Sequence, residues 1–235
     1  MSARARRLLS IATLFPNPHT PRFGTFVARS LEALAARDDW EVTVINPIGI
    51  PPVAFGQYRS LAQAIVSGCE NGVDVHRVRF PLIPRFGGRF NPALIAGTVL
   101  PLARRLHDER PFDLVDAQFF YPDGPATARI AMALDLPFSI KARGADISFW
   151  GGKAYARDAM CQAGEKANAL LAVSEALRED MARIGLPREK IAIHYTGLDR
   201  TVFYPRDRVD ARAEIARRFG IPVDGRLLAT LGALI

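Results

Sequence analysis

Two cysteines and four histidines in 235 residues leave little material for a disulfide framework or a metal centre. Cys69 and Cys161 stand far apart and form no CxxC pair, so they read as small buried apolar residues in a reducing compartment. His19, His76, His107 and His194 show no ligand spacing, and no metal is expected. Long apolar runs are also missing. "LIAGTVLPLA" is the longest candidate; Gly, Thr and Pro interrupt it, and it falls far short of the ~20 residues of a membrane span. The run Leu8 to Phe15 follows three arginines as a signal peptide would, but it is short, holds Ser and Thr, and has no small-residue cleavage site after it. It reads as a first buried strand. No GxGxxG, Walker A loop, GxSxG or HExxH occurs, which removes the usual dinucleotide, P-loop, hydrolase-elbow and zincin readings. Internal repeats and low-complexity segments are absent.

What is present is a globular composition, 49% hydrophobic, with a net charge of +7. The excess is Arg scattered among Asp and Glu. It fits an Arg-rich solvated surface, or an anionic partner such as a phosphorylated ligand or an acidic membrane surface. No basic run interleaves with aromatics, so no nucleic-acid partner is expected.

Apolar runs of strand length alternate with segments of helical period. Strands are expected at 8–14, 41–46, 73–80, 112–118, 137–142, 169–174 and 191–195. Helices are expected at 23–37, 58–68, 92–110, 122–135, 153–167 and 175–185, with Asn91 capping the third and Pro101 kinking it. This alternation predicts an α/β fold: a doubly wound, mostly parallel Rossmann-like sheet with helices on both faces. After "IAIHY" the texture changes. "TGLDRTVFYPRDRVD" has no period and reads as a linker, followed by a short helix and the apolar run "RLLATLGALI". That run either completes the first sheet or opens a second. With about seven strands already upstream, the second reading is adopted. The expected organisation is a domain at 1–196, a linker at 197–210 and, at 211–235, the first helix and strand of a truncated second α/β domain.

Ligands of doubly wound sheets bind at the carboxyl ends of strands. "FPNPHTPRFGTF" ends in Gly24-Thr25 at a helix start, where Gly24 is either a turn residue or a ligand contact. "KARGADISFWGG" sets Lys141, Arg143, Gly144, Asp146 and Trp150 at a strand end. Such a cluster suits a polar, anionic or sugar ligand, unless an Arg143–Asp146 salt bridge merely shapes the loop. Ser174 reads as a helix cap with Glu175 favoured by the helix dipole. Gly197 permits a reversal, and Asp199 caps a turn. Asp113, Asp116 and Asp123 flank one strand but make no metal set. No catalytic residue is assigned.

The stretches "FPNPHTPRFGTFVARSLEAL", "PDGPATARIAMALDLPFSIKARGADI", "ALLAVSEALREDMARIGLPREKIAIHYTGLDRTVFYP" and "RLLATLGALI" resemble, in chain order, the family four glycosyltransferases. The resemblance implies a two-domain GT-B architecture, with the acceptor bound mainly by the first domain and the nucleotide sugar by the second. It further implies retention of anomeric configuration and no cofactor beyond the nucleotide-diphosphate sugar donor. Carried over by position, Gly24 and its neighbour Thr25 match the glycine loop, and Arg143, Gly144 and Asp146 match an HG-x-D motif beside the transferred sugar. Ser174 and Glu175 match a "VSE" tract; Gly197 and Asp199 match an "NGVD" tract. Three departures stand out. The first loop has one glycine where many relatives have two, Arg143 replaces His, and Thr196 replaces Asn. The family's diphosphate-neutralising residues and its glutamate pair are expected beyond Ile235.

The resemblance therefore implies a hexosyltransferase acting on a polysaccharide or lipid-linked acceptor, with this chain an inactive fragment. Its expected place is the cytoplasm, with peripheral contact to an anionic inner membrane face. A non-catalytic sugar- or nucleotide-binding domain of the same fold, and another sugar-nucleotide enzyme such as an epimerase, remain as alternatives.

Overall fold

The computed structural model describes residues 4–53, 56–83 and 87–229. They fall into two compact units, Met1–Thr196 and Gly197–Ile235.

The first unit is built on one eight-stranded sheet. Its strands are β1 (Arg6–Ile11), β2 (Trp40–Ile50), β3 (Gly68–Glu70), β4 (Val73–Pro81), β5 (Leu114–Ala117), β6 (Phe138–Ala142), β7 (Ala169–Ala172) and β8 (Ile191–Ile193). Their spatial order is β3-β4-β2-β1-β5-β6-β7-β8. All pairings are parallel except the edge pair of β3 with β4. The connecting helices are α1 (Thr25–Ala35), α2 (Gln57–Gln63), α3 (Asn91–Glu109), α4 (Asp123–Ala133), α5 (Ala154–Lys166) and α6 (Glu175–Arg183).

Apolar residues on both sides of each central strand decide this layering. Leu9, Ile11, Ile45, Val115, Ala117, Ile140 and Leu170 turn to one face, under α3, α4, α5 and α6. Leu8, Ala12, Val42, Val44, Val73 and Val75 turn to the other, where Val27, Ala28 and Leu31 of α1 cover them. Each fully buried Ile or Leu contributes roughly 1.5–3 kcal/mol relative to exposure. The chain leaves β1 to build β2 and β4 on one side, then crosses back to build β5 to β8 on the other. The topological switch point therefore lies between the carboxyl ends of β1 and β5.

Several local expectations change. Strand β3 is additional: three residues are too few to show a period. Strand β2 runs on through Pro47 and Gly49 to Ile50. Helix α2 stops at Gln63, and α3 continues unbroken past Pro101, with Phe90 rather than Asn91 at its cap. Cys69 is exposed on the edge strand, not buried. Residues 227–229 form no strand, and the rest of the closing apolar run lies outside the described residues.

In the second unit, α7 (Arg208–Phe219) starts at Asp207, whose carboxylate accepts the N–H groups of Val209 (2.8 Å) and Asp210 (3.0 Å). Gly220, in the left-handed region at φ 64°, ends it. Asp199 accepts from the Thr201 amide (2.9 Å) and hydroxyl (2.6 Å), which closes the expected turn.

Candidate functional site

Three loops meet at the switch point, and buried carboxylates tie them together. After β1, the Thr13 amide (2.9 Å) and hydroxyl (2.7 Å) donate to Asp123, at the start of α4 and fully buried. After β6, Asp146 is fully buried as well. Its carboxylate accepts from the backbone of Phe120 (2.8 Å), Arg143 (3.0 Å), Gly144 (2.8 Å) and Ile147 (3.2 Å). Asp146 thus holds its own loop and docks it onto the β5 loop. No Arg143–Asp146 side-chain ion pair forms; the contact is to the Arg143 amide. Gly144 is required here because its φ of 122° is closed to other residues.

Desolvation sets the charge states. Burial raises the pKa of Asp123 to about 7, against the lowering effect of Thr13. Burial raises Asp116, on β5, to about 6, opposed by its hydrogen bonds and by Arg143 and Lys141. Burial also raises Asp146, opposed by the backbone N–H groups it accepts. Lys141 is brought down to about 8 by burial and then by Arg143, and its ammonium lies 3.1 Å from His194 Nδ1.

The Arg143 guanidinium spans the crevice. It donates to the Gln118 carbonyl (3.2 Å) and side-chain oxygen (2.6 Å) on the β5 side. On the β1 side it lies 5.0 Å from the ring of Phe26, in the first turn of α1. That helix starts at Gly24, whose φ of 70° and contact with Leu14 exclude a side chain: a Cβ would sit 2.5 Å from the Leu14 carbonyl oxygen. Thr25 beside it is exposed.

A cavity of about 390 Å³ opens beside this crevice, at the carboxyl ends of β1, β2 and β4. Thr13, Asn17, His19, Asn46, Ile48 and Phe80 are among its walls. Asn46 donates to the Ala12 carbonyl (2.6 Å), while its own side-chain oxygen is buried without a partner.

Of the residues singled out from sequence, Gly24, Thr25, Arg143, Gly144 and Asp146 thus belong to the converging loops. Ser174 stands at the β7 end, where its hydroxyl caps α6 by accepting the Leu177 amide at 3.1 Å. Glu175 is exposed and pairs with Arg178. Gly197 and Asp199 belong to the second unit. Sequence reasoning missed Thr13 and Asn46, which only their places just after β1 and at the end of the strand expected over 41–46 would have flagged. It also missed Arg77, whose guanidinium is buried and paired with Glu70 at 2.6 Å while donating to the Val66 and Pro16 carbonyls. Its signal was an Arg in phase with Val73 and Val75, on the covered face. Among the described residues no cluster of three or more His, Cys, Asp or Glu is arranged to hold a metal, and no helix is long and apolar enough to cross a membrane.

A sheet of this order with a crevice at its switch point defines a doubly wound, Rossmann-like domain of the kind found in GT-B glycosyltransferases. Solved structures share it. Alr3699/HepE of Anabaena, in complex with UDP and glucose, matches with a TM-score of 0.56 at 14% identity, over 92% of this chain and 50% of that one. Sucrose-phosphate synthase (tll1590) of Thermosynechococcus elongatus matches with a TM-score of 0.60 at 11% identity, over 92% and 53%. The Glycosyltransferase Family 4 model matches residues 24–202, and the chain belongs to that family. TuaC of Bacillus subtilis (strain 168), provisionally named a teichuronic acid biosynthesis glycosyltransferase, is 26% identical over 97% of this chain. The chain spans 59% of TuaC's length.

Proposed function

We propose that this chain supplies the acceptor-side half of a retaining, nucleotide-sugar-dependent glycosyltransferase. The enzyme would move a hexose-type sugar to a polysaccharide or lipid-linked acceptor. The observation that carries this reading is the family match over residues 24–202, because that span contains Gly24 at the start of α1 and the loops after β5 and β6 that meet it at the switch point. Family membership also favours a transferase over the epimerase alternative.

In this reading Gly24, Thr25, Arg143 and Gly144 face the sugar, Asp146 fixes the loop that presents them, and the cavity beside Asn46 receives the acceptor. Ser174 and Glu175 carry the family's "VSE" tract in the first unit, and Gly197 and Asp199 its "NGVD" tract in the second. Departure of a nucleoside diphosphate builds negative charge that fixed positive groups must meet. The residues expected to do this lie outside this sequence, and the chain alone is inactive. Two observations support that division: this chain spans 59% of TuaC and 50% of Alr3699/HepE, and the latter was solved with UDP and glucose.

For a lipid-linked acceptor the enzyme would rest on a membrane. Phe90 and Phe149 are 51% and 59% exposed, and Arg89 and Lys153 stack on them at 5.6 and 4.6 Å. Exposed aromatics beside cations suit an anionic lipid interface in the cytoplasm. The test of the reading is transfer of labelled sugar from a panel of nucleotide sugars by the full-length protein.

A further inference from the structure

The buried and half-buried cations of the first unit are not all alike. Arg7 pairs with Glu41 at 3.2 Å, and Arg77 pairs with Glu70 at 2.6 Å. Arg143 and Lys141 have no carboxylate at ion-pair distance among the described residues. Arg143 uses two nitrogens on neutral Gln118 oxygens, and its third, Nη1, is buried with no partner. Lys141, only 3% exposed, has one hydrogen-bonding neighbour, the imidazole of His194. The carboxylates around them do not pair with them, although Asp116 keeps one buried oxygen, Oδ1, without a hydrogen-bond partner. Asp146 is taken up by four backbone amides, and Asp116 holds the Gln118 amide while attracting both cations from beyond pairing distance. Two positive groups thus stand without a carboxylate at pairing distance at the carboxyl ends of parallel strands, where this fold places ligands. A guanidinium nitrogen buried with its N–H groups unmet costs free energy unless something else meets it.

We propose that Arg143, backed by Lys141, binds a compact anion carried by the sugar substrate, a carboxylate or a phosphate, and that Phe26 covers the free arm of Arg143 until the anion arrives. A guanidinium offers a planar donor fork that matches either group, and a neutral sugar hydroxyl does not use that charge. Phe26 suits the covering role because it stacks on Arg143 at 5.0 Å, is 40% exposed, and sits in the first helical turn after Gly24. Burial, Lys141 and Arg143 all depress the His194 pKa, so a neutral imidazole accepts from Lys141 and leaves the ammonium charged. That a sugar carries the anion rests on the transferase reading; the anion site itself does not.

The experiment is a titration of the 235-residue chain with glucuronate, glucose 6-phosphate and glucose, followed by amide NMR shifts. At least one anion binds about tenfold more tightly than glucose, and the better one identifies carboxylate or phosphate. Arg143→Gln removes the preference, Arg143→Lys keeps part of it, and Phe26→Ala strengthens anion binding roughly threefold by uncovering Nη1. Equal binding of anions and glucose, no binding of either anion, or an undiminished preference in a folded Arg143→Gln variant overturns the proposal. If Arg143→Gln does not fold, the wild-type preference and Phe26→Ala decide; weakened anion binding in Phe26→Ala counts against it. Sugar transfer by the full-length protein is a separate readout. Transfer without an anion preference sinks this proposal alone; an anion preference without transfer sinks only the transferase reading.

Discussion

Thr13 donates through both its amide (2.9 Å) and its hydroxyl (2.7 Å) to the two carboxylate oxygens of Asp123, 110 residues further on. The contact joins the loop after β1 to the first turn of α4. It closes the floor of the crevice between the two halves of the sheet, and Thr13 also forms part of the neighbouring cavity wall.

The Asp123 carboxyl gives the first prediction a sign. Its folded pKa, about 7, is above the ordinary 3.8, and Asp116, at about 6, is shifted the same way. Acids with raised folded pKa values stabilise most below their unfolded pKa, and that contribution is lost as pH rises through the folded value. Stability should therefore fall between about pH 4 and pH 7, by roughly 4 kcal/mol from Asp123 and roughly 3 kcal/mol from Asp116. Asp123→Asn flattens that fall. Denaturant melts at pH 5 and pH 8 check it; an unchanged slope in the variant counts against the assignment.

Asp146 is read as a staple. Asp146→Ala leaves the buried amide of Phe120 and the half-buried amides of Arg143 and Gly144 without that acceptor, at a cost of about 1–3 kcal/mol. Hydrogen exchange should accelerate at those three amides while the β1–β2 ladder keeps its protection.

Gly24→Ala places a Cβ against the Leu14 carbonyl at positive φ. The expected loss is about 1–3 kcal/mol, seen as a lower Tm, with α1 still present by circular dichroism. Ser174→Ala removes the cap of α6 and should cost about 1 kcal/mol.

Phe149→Ala and Phe90→Ala, both at exposed positions, should weaken sedimentation with anionic phospholipid vesicles severalfold without changing Tm. Equal binding of the wild type to neutral and anionic vesicles would argue against the membrane contact.

The layered fold was legible because buried parallel strands and amphipathic helices carry different periods. Leu8 to Ile11 and Val42 to Ile45 are apolar on both faces, and Val27, Ala28 and Leu31 recur as one helical stripe. The glycine at the α1 start and the Ser174 cap were legible because each depends on one local geometry. The rest depended on contacts distant in sequence. Nothing near Thr13 announces Asp123. Asp146 looked like a ligand group or an ion-pair partner, whereas most of its bonds go to backbone amides, whose positions no residue type encodes. Lys141 and Arg143 were visible as charges, but that neither has a carboxylate partner became apparent only once the surrounding side chains were placed.

The most direct test of the central claim compares two proteins with one panel of nucleotide sugars and cell-envelope acceptor extracts, scoring labelled sugar transferred. The full-length protein is expected to transfer from at least one donor, and the 235-residue chain from none. Transfer by the short chain alone, or failure of the full-length protein with every donor and acceptor, would contradict the account.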